Sequence, residues 1–265
     1  LTMRSDFLGD CAQFRGLPEA INEGQYLVPR MTRDEIREAI TGPIAVGGAT
    51  ITTRLLTRLL NDVGNNLDQL PILQHAMMRT WDAWKKKNRP ADPIDIPDYE
   101  KIGGMASALS LHADEAYSEL TSDKQRLICE LMFKALTDKA ADVRGTRRPT
   151  SVSDLSILTD SSAGEVIKIV EAFRKPGRTF LMPPPGVPLD DKSIIDISHE
   201  SIMRVWERLV KWTDEEAASA DVYLRLSEDA MRYAEGKTDL WRNPELETGL
   251  KWYRANNPNA SWAER

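Results

Sequence analysis

The chain has 265 residues, a net charge of −6, 41% hydrophobic and 29% charged residues, and two cysteines. A chain of this size buries enough surface to fold without disulfides, and Cys11 and Cys129, far apart and in no CxxC pattern, fit a reducing compartment. No apolar run approaches a membrane span, and the acidic balance opposes broad binding to nucleic acid or anionic membrane.

The first residues, Leu1-Thr2-Met3-Arg4, read as a strand entered midway, with no initiator methionine or leader. The expectation is a piece of a longer protein. Tyr26-Leu27-Val28 is a second strand-like run, and Asp6–Glu23 between them is broken by Gly9, Gly16 and Pro18. Thr32-Arg33-Asp34-Glu35 is a capping box, and Ile36, Ala39 and Ile40 give the helix behind it an apolar stripe. Gly42-Pro43 is expected to end that helix.

Apolar spacing at Ile51, Leu55, Leu59 and Val63 predicts a helix over 51–63. Pro71 suits a first helical position, and Leu73, Met77, Trp81 and Trp84 carry that helix to Lys85–Lys87. Arg89–Pro97, with three prolines and two aspartates, reads as a linker. Leu109, Ala113, Ala116 and Leu120 predict a helix over 104–119.

From 121 the expected order is a helix over 122–137, a short extended Arg147–Thr150, a helix near 153–159 and a helix over 163–174. A strand over Arg178–Met182, a proline-rich loop over Pro183–Asp191, a strand over Ile194–Ile197 and a helix over 199–213 follow. That is the order of a winged helix-turn-helix, the proline-rich loop being the wing. Helix 216–235, a break at Gly236 and a helix from Pro244 form the tail. No period of 20–50 residues marks a solenoid or propeller. The fold class is therefore mainly α: a helical bundle plus a winged helix with a small β-hairpin.

Few residues carry a chemical signature. Gly236-Lys237-Thr238 has the ending of a phosphate loop, but Met231 stands where the first glycine belongs, and an amphipathic helix precedes it. It reads as a helix end. His199-Glu200 opens like a zinc-protease motif, yet Met203 occupies the second ligand position, so zinc is rejected. His75 and His112 fall on separate helices and read as structural, and no GxSxG is present. The expected recognition helix, Ala163–Arg174, carries Glu165, Lys168, Glu171 and Arg174. Its two acids would repel phosphates, and the basic residues Arg144, Arg147, Arg148, Lys175 and Arg178 lie outside it. DNA binding is the lesser reading and protein packing the greater.

An ordered set of segments resembles the STAND NTPases, signal-transduction ATPases of the AAA+ type, in their bacterial WD-repeat-linked branch. The segments are Leu1–Leu8, similar to a sensor-1 strand, Gln25–Met31 with its following helix, Leu70–Trp81, Ile197–Ile202 before Trp206, and Leu240–Arg242 through Trp252. The resemblance implies that 1–31 is the remnant of an AAA+ core, 32–120 a helical lid, 121–213 the winged helix and 214–265 a helical linker. It implies that Arg4 reads the γ-phosphate, that Pro71 packs on the base, and that His199 contacts the ADP β-phosphate. The family pattern has glycine two residues before that proline, where Gln69 stands, and Met-His-Asp where Ser198-His199-Glu200 stands.

The phosphate loop and Mg²⁺-binding acid of such a protein are expected upstream of Leu1. The resemblance thus implies ADP or ATP with Mg in the parent, no cofactor in this stretch alone, and no catalytic or metal residue here. It further implies a cytoplasmic switch that self-associates and couples to downstream sensor repeats or effector domains. The alternatives are a winged-helix DNA-binding regulator and an interaction module that has lost its nucleotide.

Overall fold

The computed structural model describes residues 8–64, 69–89, 91–139, 145–256 and 258–264. The chain divides into two compact units, one reaching Thr50 and one running from Ile51 to the C-terminus. Thirteen α-helices and two small antiparallel sheets stand among the described residues, so the protein is mainly α.

In the first unit a 3₁₀ turn over Asp10–Gln13 buries Cys11, and α1 covers Leu17–Gly24. Helix α2, Arg33–Val46, starts at the expected capping box: the Glu35 amide donates to Thr32 Oγ1, and the Thr32 amide donates to the Glu35 carboxylate. It does not stop at Gly42-Pro43. Pro43 lies inside it, and Ile40 and Ile44, one turn apart, are both buried. Burying an isoleucine gains about 1.5–3 kcal/mol, which offsets much of the cost of an internal proline. Tyr26-Leu27-Val28 is exposed and pairs with no strand among the described residues. Its β-forming residues have no partner there, and propensity alone does not make a strand.

The second unit begins with α3 (Thr53–Val63), α4 (Gln69–Lys85), α5 (Ile96–Glu100) and α6 (Gly104–Ser118). The presumed linker between α4 and α5 is held in place. Ile94 is fully buried and bridges Ile51, the Thr52 amide donates to its carbonyl at 3.0 Å, and Trp84 Nε1 donates to the Asp92 carbonyl at 2.8 Å.

Beyond α6 come α7 (Asp123–Ala135) and a hairpin of β1 (Thr137–Asp138) with β2 (Thr146–Arg147). Then follow β3 (Thr150–Ser151), α8 (Val152–Leu158), α9 (Ala163–Arg174), β4 (Leu181–Met182) and β5 (Ile194–Ile197). Strand β5 is central, with Thr150 opposite Ile195 on one side and Leu181 opposite Ile197 on the other. Apart from strand β1 and its hairpin with β2, which the sequence did not lead one to expect, the helices and strands stand in the expected order. The helix expected over 199–213 is instead two: α10 (Ser201–Val205) and α11 (Glu207–Ala234) meet at an extended Trp206. The break turns a fully buried indole into the core, where it meets Phe133 and Phe173 with ring centroids 5.0 and 5.7 Å apart.

One core runs from Leu109, Ala113 and Ala116 of α6 through α7 and α9 to Leu181, Ile195, Ile197 and Trp206. Helix α6 therefore serves both neighbours: it packs on α4 on one side and on α9 and α10 on the other. The tail is α12 (Glu245–Asn256) and α13 (Ala260–Ala263), folded back along α11.

Candidate functional site

The polar residues of interest collect where α4 and α6 meet the α9–β5 region. His75, one turn beyond Pro71, faces His112 of α6, with Nε2 and Nδ1 3.2 Å apart. Phe180, just before β4, closes the group, its ring 5.8 Å from His75 and 5.1 Å from His112. Burial pushes His75 down to about 4 and His112 down to about 3, and the nearby Arg79 guanidinium adds to both. Both rings are neutral at pH 7, so one donates to the other. Arg79 itself pairs with Glu115 across α4 and α6.

The same joint is tied at two further points. Asp114 accepts from the buried Trp206 Nε1 and from Arg208 Nε, each at 3.0 Å, and the Glu207 amide donates to Ser110 Oγ at 3.4 Å. At the far end of α6, Glu119 accepts from Lys175 at 2.6 Å and from Arg178 at 3.0 Å. Those two cations hold its carboxyl down at about 2.

His199 follows directly. The Ser198 amide donates to the Phe180 carbonyl at 3.0 Å, which fixes the residue before His199 against the ring that touches the histidine pair. The His199 side chain is exposed. Its Nδ1 lies 3.0 Å from Ser201 Oγ and accepts from the Ser201 amide at 3.5 Å. An amide can only donate, so the neutral ring carries its proton on Nε2. Around it Arg147 donates to Asp196 at 2.8 Å and Arg204 to Glu200 at 3.3 Å.

Of the three residues singled out in the sequence, Pro71 and His199 thus belong to elements linked through His75 and Phe180. Arg4 lies outside the described residues, as do the strand-like Leu1-Thr2-Met3 and the basic Arg144. The sequence reading missed that His75 and His112 meet, and 37 residues of separation carry no periodic signal for it. The only hint was His112 beside Ala113, inside the apolar stripe of its helix.

Two rejected motifs resolve in physical terms. Gly236, at φ 70°, ends α11 as a left-handed cap: its amide bonds the Tyr233 carbonyl at 2.9 Å, and the Lys237 amide bonds that of Arg232 at 2.9 Å. This is a Schellman cap, which spends those amides on the helix's own carbonyls. Among the described residues no group of three or more His, Cys, Asp or Glu side chains is placed to hold a metal ion. No helix among them is long and apolar enough to cross a membrane.

The basic residues beside α9 are also spoken for. Arg147 and Arg148 pair with Asp196 and Asp138, and Lys175 and Arg178 pair with Glu119. Arg174 is turned inward, donating to the carbonyls of Pro183, Pro184 and Val187 at 3.1, 3.0 and 2.6 Å and to both oxygens of Glu171.

These features define a class: a mainly α module in which two helical bodies share α6 and are joined by ion pairs, an indole and a histidine pair. A model of the family described as novel STAND NTPase 1 matches residues 1–240. The chain belongs to that family of STAND NTPases, a family of nucleotide-dependent switch proteins. Neither the curated proteins nor the solved structures contain a match.

Proposed function

We propose that this chain is the regulatory part of a STAND-type nucleotide switch, in which 1–31 completes an AAA+ core, 32–120 acts as lid, 121–213 as winged helix and 214–265 as linker. The parent senses ADP or ATP with Mg and converts that state into opening and self-association in the cytoplasm. Downstream repeats or effector domains receive the signal. In this reading Arg4 answers to the γ-phosphate, Pro71 packs on the base, and His199 donates to the β-phosphate of ADP.

The observation that carries the reading is the state of His199: exposed, with Nδ1 engaged by Ser201, so that Nε2 holds the proton. A phosphate oxygen accepts from such a donor, so the residue fits the group. Bound ADP would supply the acceptor; this chain holds and orients the donor. One hydrogen bond to a charged group is worth about 1.5–3 kcal/mol. That biases a closed state about 10- to 150-fold, the range of known allosteric couplings.

The nucleotide's remaining contacts are assigned to residues outside this stretch, since Gly236-Lys237-Thr238 is consumed as a helix cap. The stretch by itself is expected neither to turn over ATP nor to bind it tightly. The DNA-binding alternative is disfavoured because Arg147, Arg148, Lys175 and Arg178 are ion-paired.

The test is His199→Ala in the protein carrying its whole nucleotide-binding part. Sedimentation with ADP bound should show raised basal self-association. Sedimentation identical to the parent protein's would sink the assignment, and steady ATP turnover by the 265-residue chain alone would sink the division of labour.

A further inference from the structure

The tail folds back on α11 through its tryptophans. Trp241 Nε1 donates to Asp229 at 2.8 Å, Trp252 Nε1 to Ser219 at 2.6 Å and Trp262 Nε1 to Glu216 at 2.6 Å. Partners on α11 recede as the tail advances, so α12 runs antiparallel to α11. Its inward line is Gly249, against the Trp241 ring, and Trp252, against Tyr223.

Side chains advance about 100° per residue around a helix. On two antiparallel neighbours, residues one such step past the contact line point to the same side. On α12 those are Leu246, Leu250 and Tyr253, spaced four and three apart. On α11 they are Leu224 and Met231, seven apart. All five are 42–58% exposed, which makes one apolar face across the helical pair. Exposed apolar side chains grouped on one face mark an association surface.

The charges beside the stripe say what covers it. With Leu246, Leu250 and Tyr253 as seam positions, Glu247 and Arg254 occupy equivalent flanking positions one heptad apart, and both are exposed. Acid lies toward the start of α12 and base toward its end. In a parallel twofold pair of α12 helices these would project to opposite sides of the seam and not meet. In an antiparallel pair Glu247 meets Arg254 of the second copy, and Arg254 meets its Glu247. Such self-complementarity is what a twofold interface requires.

We propose that this face joins two copies of the chain, their α12 helices antiparallel about a twofold axis. The contact needs no nucleotide and stands apart from the switch reading. Sedimentation velocity of the nucleotide-free 265-residue chain should show a monomer–dimer equilibrium that responds to concentration.

Leu250→Glu should weaken the dimer at least about tenfold. Glu247→Arg should weaken it too, and adding Arg254→Glu should restore it, since the pair is merely exchanged. Both residues are exposed, so circular dichroism should stay unchanged in these variants. A chain that remains monomeric at concentrations on the order of 100 µM, a dimer indifferent to Leu250, or a double variant that fails to recover would each overturn the proposal. Capture of a different protein by this face, with the chain itself monomeric, would overturn it as well.

Discussion

His75 Nε2 lies 3.2 Å from His112 Nδ1, a hydrogen bond between two neutral rings on different helices, capped by Phe180. The bond requires one ring to donate and the other to accept, so it is lost once both rings are protonated, and burial beside Arg79 opposes even the first proton. A proton on either ring would place a cation beside Arg79, and on His112 beside Arg178 as well, with Glu115 already engaged by Arg79.

The pH dependence follows from that. Unfolded, each histidine titrates near 6.5; folded, burial holds them at about 4 and about 3. Below pH 6.5 the unfolded chain binds protons that the folded chain refuses. Stability therefore falls as pH is lowered from 6.5 toward 4, by up to about 1.4 kcal/mol per pH unit for each residue. Denaturant midpoints measured down this range should decline, and His112→Gln should flatten the decline. An unchanged slope in the variant would show that other groups are responsible.

Asp114 joins α6 to the start of α11 through Trp206 and Arg208. Asp114→Ala leaves the indole N–H of a fully buried Trp206 without its acceptor. The expected loss is about 1–3 kcal/mol by chemical denaturation. Asp114→Asn, which keeps an acceptor oxygen, should lose less. Equal losses would mean that the charge toward Arg208 matters more than the indole bond.

Arg174 is 2% exposed, and its guanidinium serves the proline-rich loop and Glu171. Arg174→Ala strips three carbonyls and a carboxylate of their donor and leaves a hole. Glu171 is half exposed and can be solvated, so the loss comes from the carbonyls left without a donor and is expected to be about 1–3 kcal/mol. The loop between β4 and β5 should become the first site of limited proteolysis, ahead of the helices. Cleavage elsewhere first would show that the loop is held by other contacts.

Much of this architecture was legible in the sequence, for identifiable reasons. Helix α9 matches its expected bounds, 163–174, because the apolar Val166, Val170 and Phe173 mark its face, and the structure adds a Ser162–Glu165 capping box at its start. Strand β5 was placed to the residue because Ser198 and the loop bracket a short β-branched run. What escaped depended on contacts distant in sequence. Trp206 breaks its helix because its indole finds Asp114, 92 residues earlier. Pro43 stays inside α2 with Ile44 buried behind it. Ile94 anchors a segment whose prolines suggested slack. Of the candidate site, His199 was singled out from the motif around it, whereas the pairing of His75 with His112 exists only in three dimensions.

Helix α11 has 28 residues, a rod about 42 Å long at 1.5 Å per residue. Its first half is held on the core, by Arg208 and the Glu207 amide on α6, by the buried Leu209, Trp212 and Thr213, and by packing on α7, and the rest carries the tail. Beyond the buried Ser219 about 22 Å of helix projects, so a bend of about 10° there would move the far tip through roughly 4 Å. A small rearrangement where α11 leaves the core would thereby arrive enlarged at the distant end, which makes this rod a lever.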